Sequence, residues 1–230
     1  MTIEERLKEA RIKAEGYRLL AECYYPPDER LGGLIDDLAS CLTPLCPEVA
    51  THIQAMQPEN LSEQDLIGDY ARLFLGPFST IAPPYGSVYL DPANGVMGSS
   101  TAHVRDCYLE MGLDISESCR EAPDHISVEL EFMHFLCIKE AEAASRSDAE
   151  TALHFFRKQA EFLEGCLSWY PEFTDRLRAQ ARTGFYRTLA ECTRIFIGIS
   201  LERDGFGSRS ARGSTGDQCP RLSTGVTSAQ

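Results

Sequence analysis

Pro123-Asp124-His125-Ile126-Ser127-Val128-Glu129-Leu130-Glu131-Phe132-Met133-His134-Phe135-Leu136-Cys137 is the stretch that decides the fold class. Ile126, Leu130, Met133 and Cys137 recur at three- and four-residue steps, so a helix through them lays one apolar stripe along its length. Phe132, Phe135 and Leu136 widen that stripe, which marks a central helix. Asp124 stands where an N-cap is needed and Pro123 closes off what precedes it.

The same period runs outward in both directions. Ile3, Leu7, Ala10, Ala14, Tyr17 and Leu20 define a first helix that Pro26-Pro27 ends. Leu31, Leu34, Ile35, Leu38 and Leu42 define a second, stopping before Pro44. A third spans 47–56. A fourth follows Leu61, Leu66, Ile67, Tyr70, Leu73 and Phe74, with Ser62 as N-cap, and Gly76-Pro77 ends it. Beyond, helices are expected over 100–111, over 148–169, and in one piece from Glu172 through Ile199. No β-α alternation and no internal repeat is visible. The expected fold class is all-α: a single-domain bundle of eight or more helices.

Residues 76–98 break the pattern. Pro77, Pro83, Pro84 and Pro92 alternate there with Gly76, Gly86, Gly95 and Gly98, which forbids a helix through the whole stretch. Yet Phe78, Ile81, Tyr85, Val88, Tyr89, Leu90 and Met97 give it enough apolar surface to pack. A long loop of that kind inside a compact domain points to function. After Glu202 the composition turns to Gly, Ser, Thr and Arg. Residues 204–230 therefore read as a disordered tail and residues 1–203 as the helical domain.

Charge and cysteine usage narrow the function. The 230 residues carry 22 Lys+Arg and 35 Asp+Glu, a net −13, which argues against a phosphate-gripping surface for nucleic acid and against anionic lipid. The tail contributes three arginines against two aspartates, so the helical body is more acidic still, at −14. Nine cysteines are scattered without any C-x-x-C, so they read as small buried hydrophobes in a reducing, cytoplasmic setting rather than as a zinc site. The polar N-terminus has no signal core, and no run of about 18 apolar residues would span a membrane.

Catalytic patterns are missing. Gly86-Ser87-Val88-Tyr89 lacks the second glycine of a nucleophile elbow, and neither phosphate-binding glycine motif occurs. Glu131-Phe132-Met133-His134 gives the Glu-x-x-His spacing of a carboxylate-bridged metal helix only once. No catalytic, cofactor or metal residue is expected. The alternative is a helical metal-dependent enzyme around His125, Glu129 and His134.

Three runs stand out together: Leu73-Phe74-Leu75-Gly76-Pro77, Pro83-Pro84-Tyr85-Gly86-Ser87-Val88-Tyr89, and Asp124-His125 continuing to Glu129-Leu130-Glu131-Phe132-Met133. In identity, order and separation they resemble the TorD/DmsD/NarJ family of cytoplasmic chaperones for molybdoenzyme maturation, the TorD/DmsD branch above all. The resemblance covers the chain from its first helix to about Glu202. It implies a non-enzymatic helical chaperone that binds the twin-arginine signal peptide of a molybdopterin oxidoreductase precursor, and its folded body, until cofactor insertion is complete. The peptide-binding residues it implies are Tyr70, Leu73, Phe74, Phe78, Pro84, Asp124 and His125; the charge and apolar area that such a leader needs add Glu121 and Tyr85.

There are departures. Some relatives have tryptophan where this chain has Tyr70, Phe78 and Tyr85, and relatives often place proline where it has Ala122. A NarJ-like assembly factor for a non-exported subunit is the nearer alternative function. The oligomeric state stays open between a monomer and a domain-swapped dimer. The physics agrees with the resemblance: two guanidinium groups followed by an apolar stretch call for carboxylates beside an apolar groove.

Overall fold

The computed structural model describes residues 2–44, 47–54, 56, 62–76, 80–91, 97–116 and 119–203. Phe78, Cys46 and the tail over 204–230, with Cys219, lie outside the described residues. Helices α1 (Ile3–Cys23), α2 (Leu31–Leu42), α3 (Pro47–Gln54) and α4 (Glu63–Tyr70) come first. Then follow α5 (Gly86–Leu90), α6 (Ser99–Glu110), α7 (Ile126–Ser145), α8 (Ala149–Gly165), α9 (Tyr170–Gln180) and α10 (Gly184–Arg203). The fold is all-α, as expected. Among the described residues no helix is long and apolar enough to cross a membrane.

α7 is central, as its sequence foretold. Ile126, Leu130, Met133, Leu136 and Cys137 are all fully buried, with α1 packed along one side and α8 along another. Fully burying one such side chain is worth about 1.5–3 kcal/mol relative to leaving it in water, so this stripe is a principal driving force for the fold. α1 presents Ala10, Ala14, Tyr17 and Leu20 to the core. It starts with a capping box, in which the Thr2 hydroxyl accepts the Glu5 amide and the Glu5 carboxylate accepts the Thr2 amide. α10 packs on α9 and α3. A Cβ on Gly16 would sit 2.6 Å from the Phe196 ring, so α1 and α10 can cross this closely only with glycine there.

Several expectations need correction. The helix expected in one piece from Glu172 to Ile199 is two, α9 and α10, separated at Ala181-Arg182-Thr183. Asp69 of α4 holds the break: its Oδ2 accepts the Arg182 amide (2.9 Å), the Thr183 amide (2.8 Å) and the Thr183 hydroxyl (3.0 Å), while Oδ1 accepts from Arg72 at 2.7 Å. Burial alone would raise this carboxyl. The two amides, the hydroxyl and Arg72 outweigh it and hold the group below its ordinary value.

The fourth helix starts after Ser62, which caps it as expected, but its regular part ends at Tyr70. Ala71–Leu75 continue as a π-helical turn closed by the Gly76 amide donating to the Ala71 carbonyl at 2.9 Å. Within the proline- and glycine-rich stretch a short helix does form, α5, because no proline falls between Tyr85 and Asp91. Asp124 does not cap α7. His125 does, with its Nδ1 accepting the Ser127 amide at 3.2 Å.

Candidate functional site

Asp124 points away from its own helix. Its Oδ2 accepts the Ser87 amide at 2.8 Å, so it caps α5 from 37 positions away. The backbone reinforces the join. The Gly86 amide donates to the Asp124 carbonyl at 2.8 Å and the Ile126 amide to the Pro84 carbonyl at 2.9 Å, with Tyr85 and His125 forming an isolated antiparallel bridge. Two of the three runs singled out in the sequence are thus zipped together. The Asp124 side chain is fully buried, and its Oδ1 has no hydrogen-bond partner.

The join is closed from below by α9. A Cβ on Gly86 would lie 2.8 Å from the Trp169 indole nitrogen, so glycine is needed for this approach. That indole donates to Glu129 Oε2 at 3.1 Å, and Tyr89 stacks on it with ring centroids 5.2 Å apart. Glu129 is fully buried and Oε1 has no partner. Desolvation pushes its carboxyl well above its ordinary value, with the Trp169 hydrogen bond opposing only in part. A neutral acid is the form that suits this position.

Above the join sits a partly exposed cluster. The Tyr85 hydroxyl donates to Glu121 Oε2 at 3.0 Å, and His125 Nε2 lies 3.8 Å from the same oxygen. Because Nδ1 accepts the Ser127 amide, the neutral ring carries its proton on Nε2, facing Glu121. Burial lowers the His125 pKa to about 4 despite Glu121 and Asp124, so the ring is neutral near pH 7. Burial, with Glu121 nearby, likewise raises the Tyr85 phenol, which stays protonated and keeps donating. Glu121 retains 28% side-chain exposure, leaving its carboxylate open to a further donor from solvent.

Beside this cluster runs an apolar groove lined by Leu113, Ile115, Cys119, Val128, Phe132 and Phe135, with Asp114 and Glu131 at its margins. Cys119 joins groove and cluster, its thiol lying 3.8 Å from the Glu121 carbonyl oxygen. The Tyr25 hydroxyl donates to Glu131 at 2.8 Å. The arrangement pairs carboxylates with an apolar trough.

The structure divides the predicted peptide-binding residues. Tyr85 and Glu121 come together at the surface with His125 just beneath. Asp124 and Pro84 are buried in the join. Tyr70, Leu73 and Phe74 belong to the core: Phe74 packs edge-on to Tyr70 at 5.2 Å and to Tyr186 at 5.6 Å. Leu75, beside them, is 64% exposed. Phe78 lies outside the described residues.

The groove itself was missed, since its walls come from residues 113–116, Cys119 and the outer face of α7, which no single stretch of sequence combines. His125, Glu129 and His134 do not converge on a common point. Their partners are Ser127, Trp169 and the Ala14 carbonyl, the last 2.9 Å from His134 Nδ1.

Comparison with known proteins adds a family. A family model described as nitrate reductase delta subunit matches residues 31–175. A chaperone protein TorD from Vibrio parahaemolyticus is 26% identical, over 65% of this chain and 69% of its own. A Tat proofreading chaperone DmsD from Salmonella typhi is 28% identical, over 76% and 81%. A perchlorate reductase assembly chaperone protein from Dechloromonas aromatica is 27% identical, over 87% and 93%. A solved chain from Archaeoglobus fulgidus described as a redox enzyme maturation protein shares the fold, with TM-score 0.53 and 23% identity over 80% of this chain and 93% of its own.

Proposed function

This chain belongs to the nitrate reductase delta subunit family as a redox-enzyme maturation chaperone, and from that premise we propose that it binds the twin-arginine leader of a molybdopterin oxidoreductase precursor in the cytoplasm. The observation that carries the reading is the partly exposed Glu121 carboxylate, held by Tyr85 and backed by His125, beside an apolar groove. A leader of this kind combines two guanidinium groups with a following apolar stretch. Guanidinium pairs with carboxylate through short charge-assisted hydrogen bonds, which Glu121, Asp114 and Glu131 can accept. The apolar stretch then lies along Ile115, Val128, Phe132 and Phe135.

Asp124 and Pro84 act one step back in this reading. They hold the Tyr85 backbone against His125, so the cluster keeps its geometry without the leader present. Tyr70, Leu73 and Phe74 support the floor of the same region through the aromatic core. Leu75, largely exposed beside them, offers apolar contact. Holding the precursor there would keep it from export until its cofactor is in place.

Titrating a labelled twin-arginine leader against the full chain tests this. Wild type should bind, Glu121→Gln should weaken binding about tenfold, as expected for one charge-assisted pair, and a leader with both arginines changed to glutamine should fail to compete. No binding by wild type, or equal competition by the altered leader, would overturn it. A second reading is an assembly factor for a subunit that is not exported. In that case a leaderless client body would bind as tightly as the full precursor.

A further inference from the structure

We propose a zinc site formed by His103, Cys107 and Cys166, beside a second cavity that shares Phe132 with the leader groove. His103 and Cys107 stand four residues apart on α6, which puts both side chains on one face. Cys166 is the residue that ends α8, brought across to them by the fold. One ligand atom from each of the three lies within 4.8 Å of the others, and among the described residues no other group of three or more metal-binding side chains has this closeness.

The sulfur spacing is the decisive observation. The two Sγ atoms are 3.7 Å apart. Zinc–thiolate bonds of about 2.3 Å at a tetrahedral angle give an S···S edge of about 3.8 Å, whereas a disulfide needs about 2.0 Å. The two sulfurs therefore already span a zinc edge without moving. His103 is exposed and can swing the remaining distance.

The surroundings suit a borderline-soft ion. Met111, Phe132 and Phe162 form an apolar floor, and Lys158 stands at the rim between Glu110 at 2.8 Å and Glu161 at 3.1 Å. Two thiolates and a neutral imidazole balance the charge of Zn²⁺, and a solvent water completes the tetrahedron on the open side. Binding is balanced by the release of two thiol protons to solvent. The ion would tie α6 to the end of α8. The site stands apart from the peptide reading and does not depend on it.

The full chain, reduced with a phosphine and stripped with a chelator, would be titrated with Zn²⁺ against a chromophoric competitor, and with Co²⁺ followed by its thiolate charge-transfer absorption. One ion per chain and a cobalt–thiolate band are expected. Cys107→Ser should abolish the band, and His103→Ala should weaken zinc by about 100-fold, at least the loss seen when a merely orienting partner is removed. His103 is exposed and Cys107 is half-buried, and circular dichroism of each variant checks that it folds. No band in the reduced wild type would overturn the proposal, as would zinc binding unchanged in Cys107→Ser. Formation of a Cys107–Cys166 disulfide in air by a chain that binds no zinc when reduced would assign the pair to redox chemistry instead.

Discussion

The Asp124 carboxylate accepts the backbone amide of Ser87 at 2.8 Å, so the aspartate at the start of α7 caps a different helix, α5. That single bond explains why a buried acid sits at the edge of an otherwise apolar element. It fixes α5, and with it Tyr85, to the entrance of α7.

Asp124→Ala should therefore destabilise the chain by about 1–3 kcal/mol, the cost of a lost cap and an orphaned buried amide. Asp124→Asn keeps an acceptor for Ser87 and should cost less. Urea unfolding gives both values. If the leader reads the Asp124 charge directly, Asp124→Asn will lose peptide binding while keeping its stability; the burial of the carboxylate predicts that binding survives.

Acid should weaken the fold through His125. Its pKa falls from 6.5 to about 4 on folding, chiefly through burial, so the unfolded chain takes up a proton that the folded chain refuses. Stability is complete above the unfolded value and is lost as pH falls from about 6.5 toward 4, by up to about 3 kcal/mol. His125→Asn retains a capping side chain but removes the titration. Unfolding curves across this range should be flatter for the variant.

Glu129 has the opposite sign. Its carboxyl is raised by desolvation, so the folded chain holds a proton that the unfolded chain gives up. Its effect on stability is therefore unfavourable above the unfolded pKa and grows as pH rises toward the folded one. Glu129→Gln, which mimics the neutral acid and can still accept from Trp169, should melt higher than wild type near neutrality, with the gap closing in mild acid. Trp169 is the chain's one tryptophan, so its emission follows this position directly.

Gly86→Ala should cost about 1–3 kcal/mol, the usual range for overpacking, because its methyl would meet the Trp169 ring at 2.8 Å. The near-ultraviolet dichroism of Trp169 should change with it. An unchanged melting temperature would mean that α5 and α9 can separate freely.

The helices that periodicity identified are those whose apolar residues are buried along the whole length, α1 and α7 above all. Ser62 was legible as a cap because its partner, Asp65, is local. The break between α9 and α10 was not, because nothing in Ala181-Arg182-Thr183 resists a helix and the group that holds it, Asp69, is 113 positions from Arg182. Asp124 failed for the same reason: as a cap its type was right, but the amide it serves belongs to another segment. At the candidate site, the sequence runs pointed to Tyr85 and His125 and the charge argument to Glu121, and these three do converge. Leu73 and Phe74 lie on such a run, with Tyr70 just before it, and all three are buried, since adjacency in a motif does not distinguish a surface residue from the core residue that supports it.

The join between residues 84–87 and 124–126 has a kinetic consequence. Its amides are shielded by Trp169 on one side and anchored to the first turn of α7 on the other. Local fraying cannot expose them, so Gly86, Ser87 and Ile126 should exchange their hydrogens only when the whole domain opens. The surface proposed for the leader would then have the same lifetime as the core. A partly unfolded copy of this chain could not hold a client, and loss of grip and loss of fold would be one event.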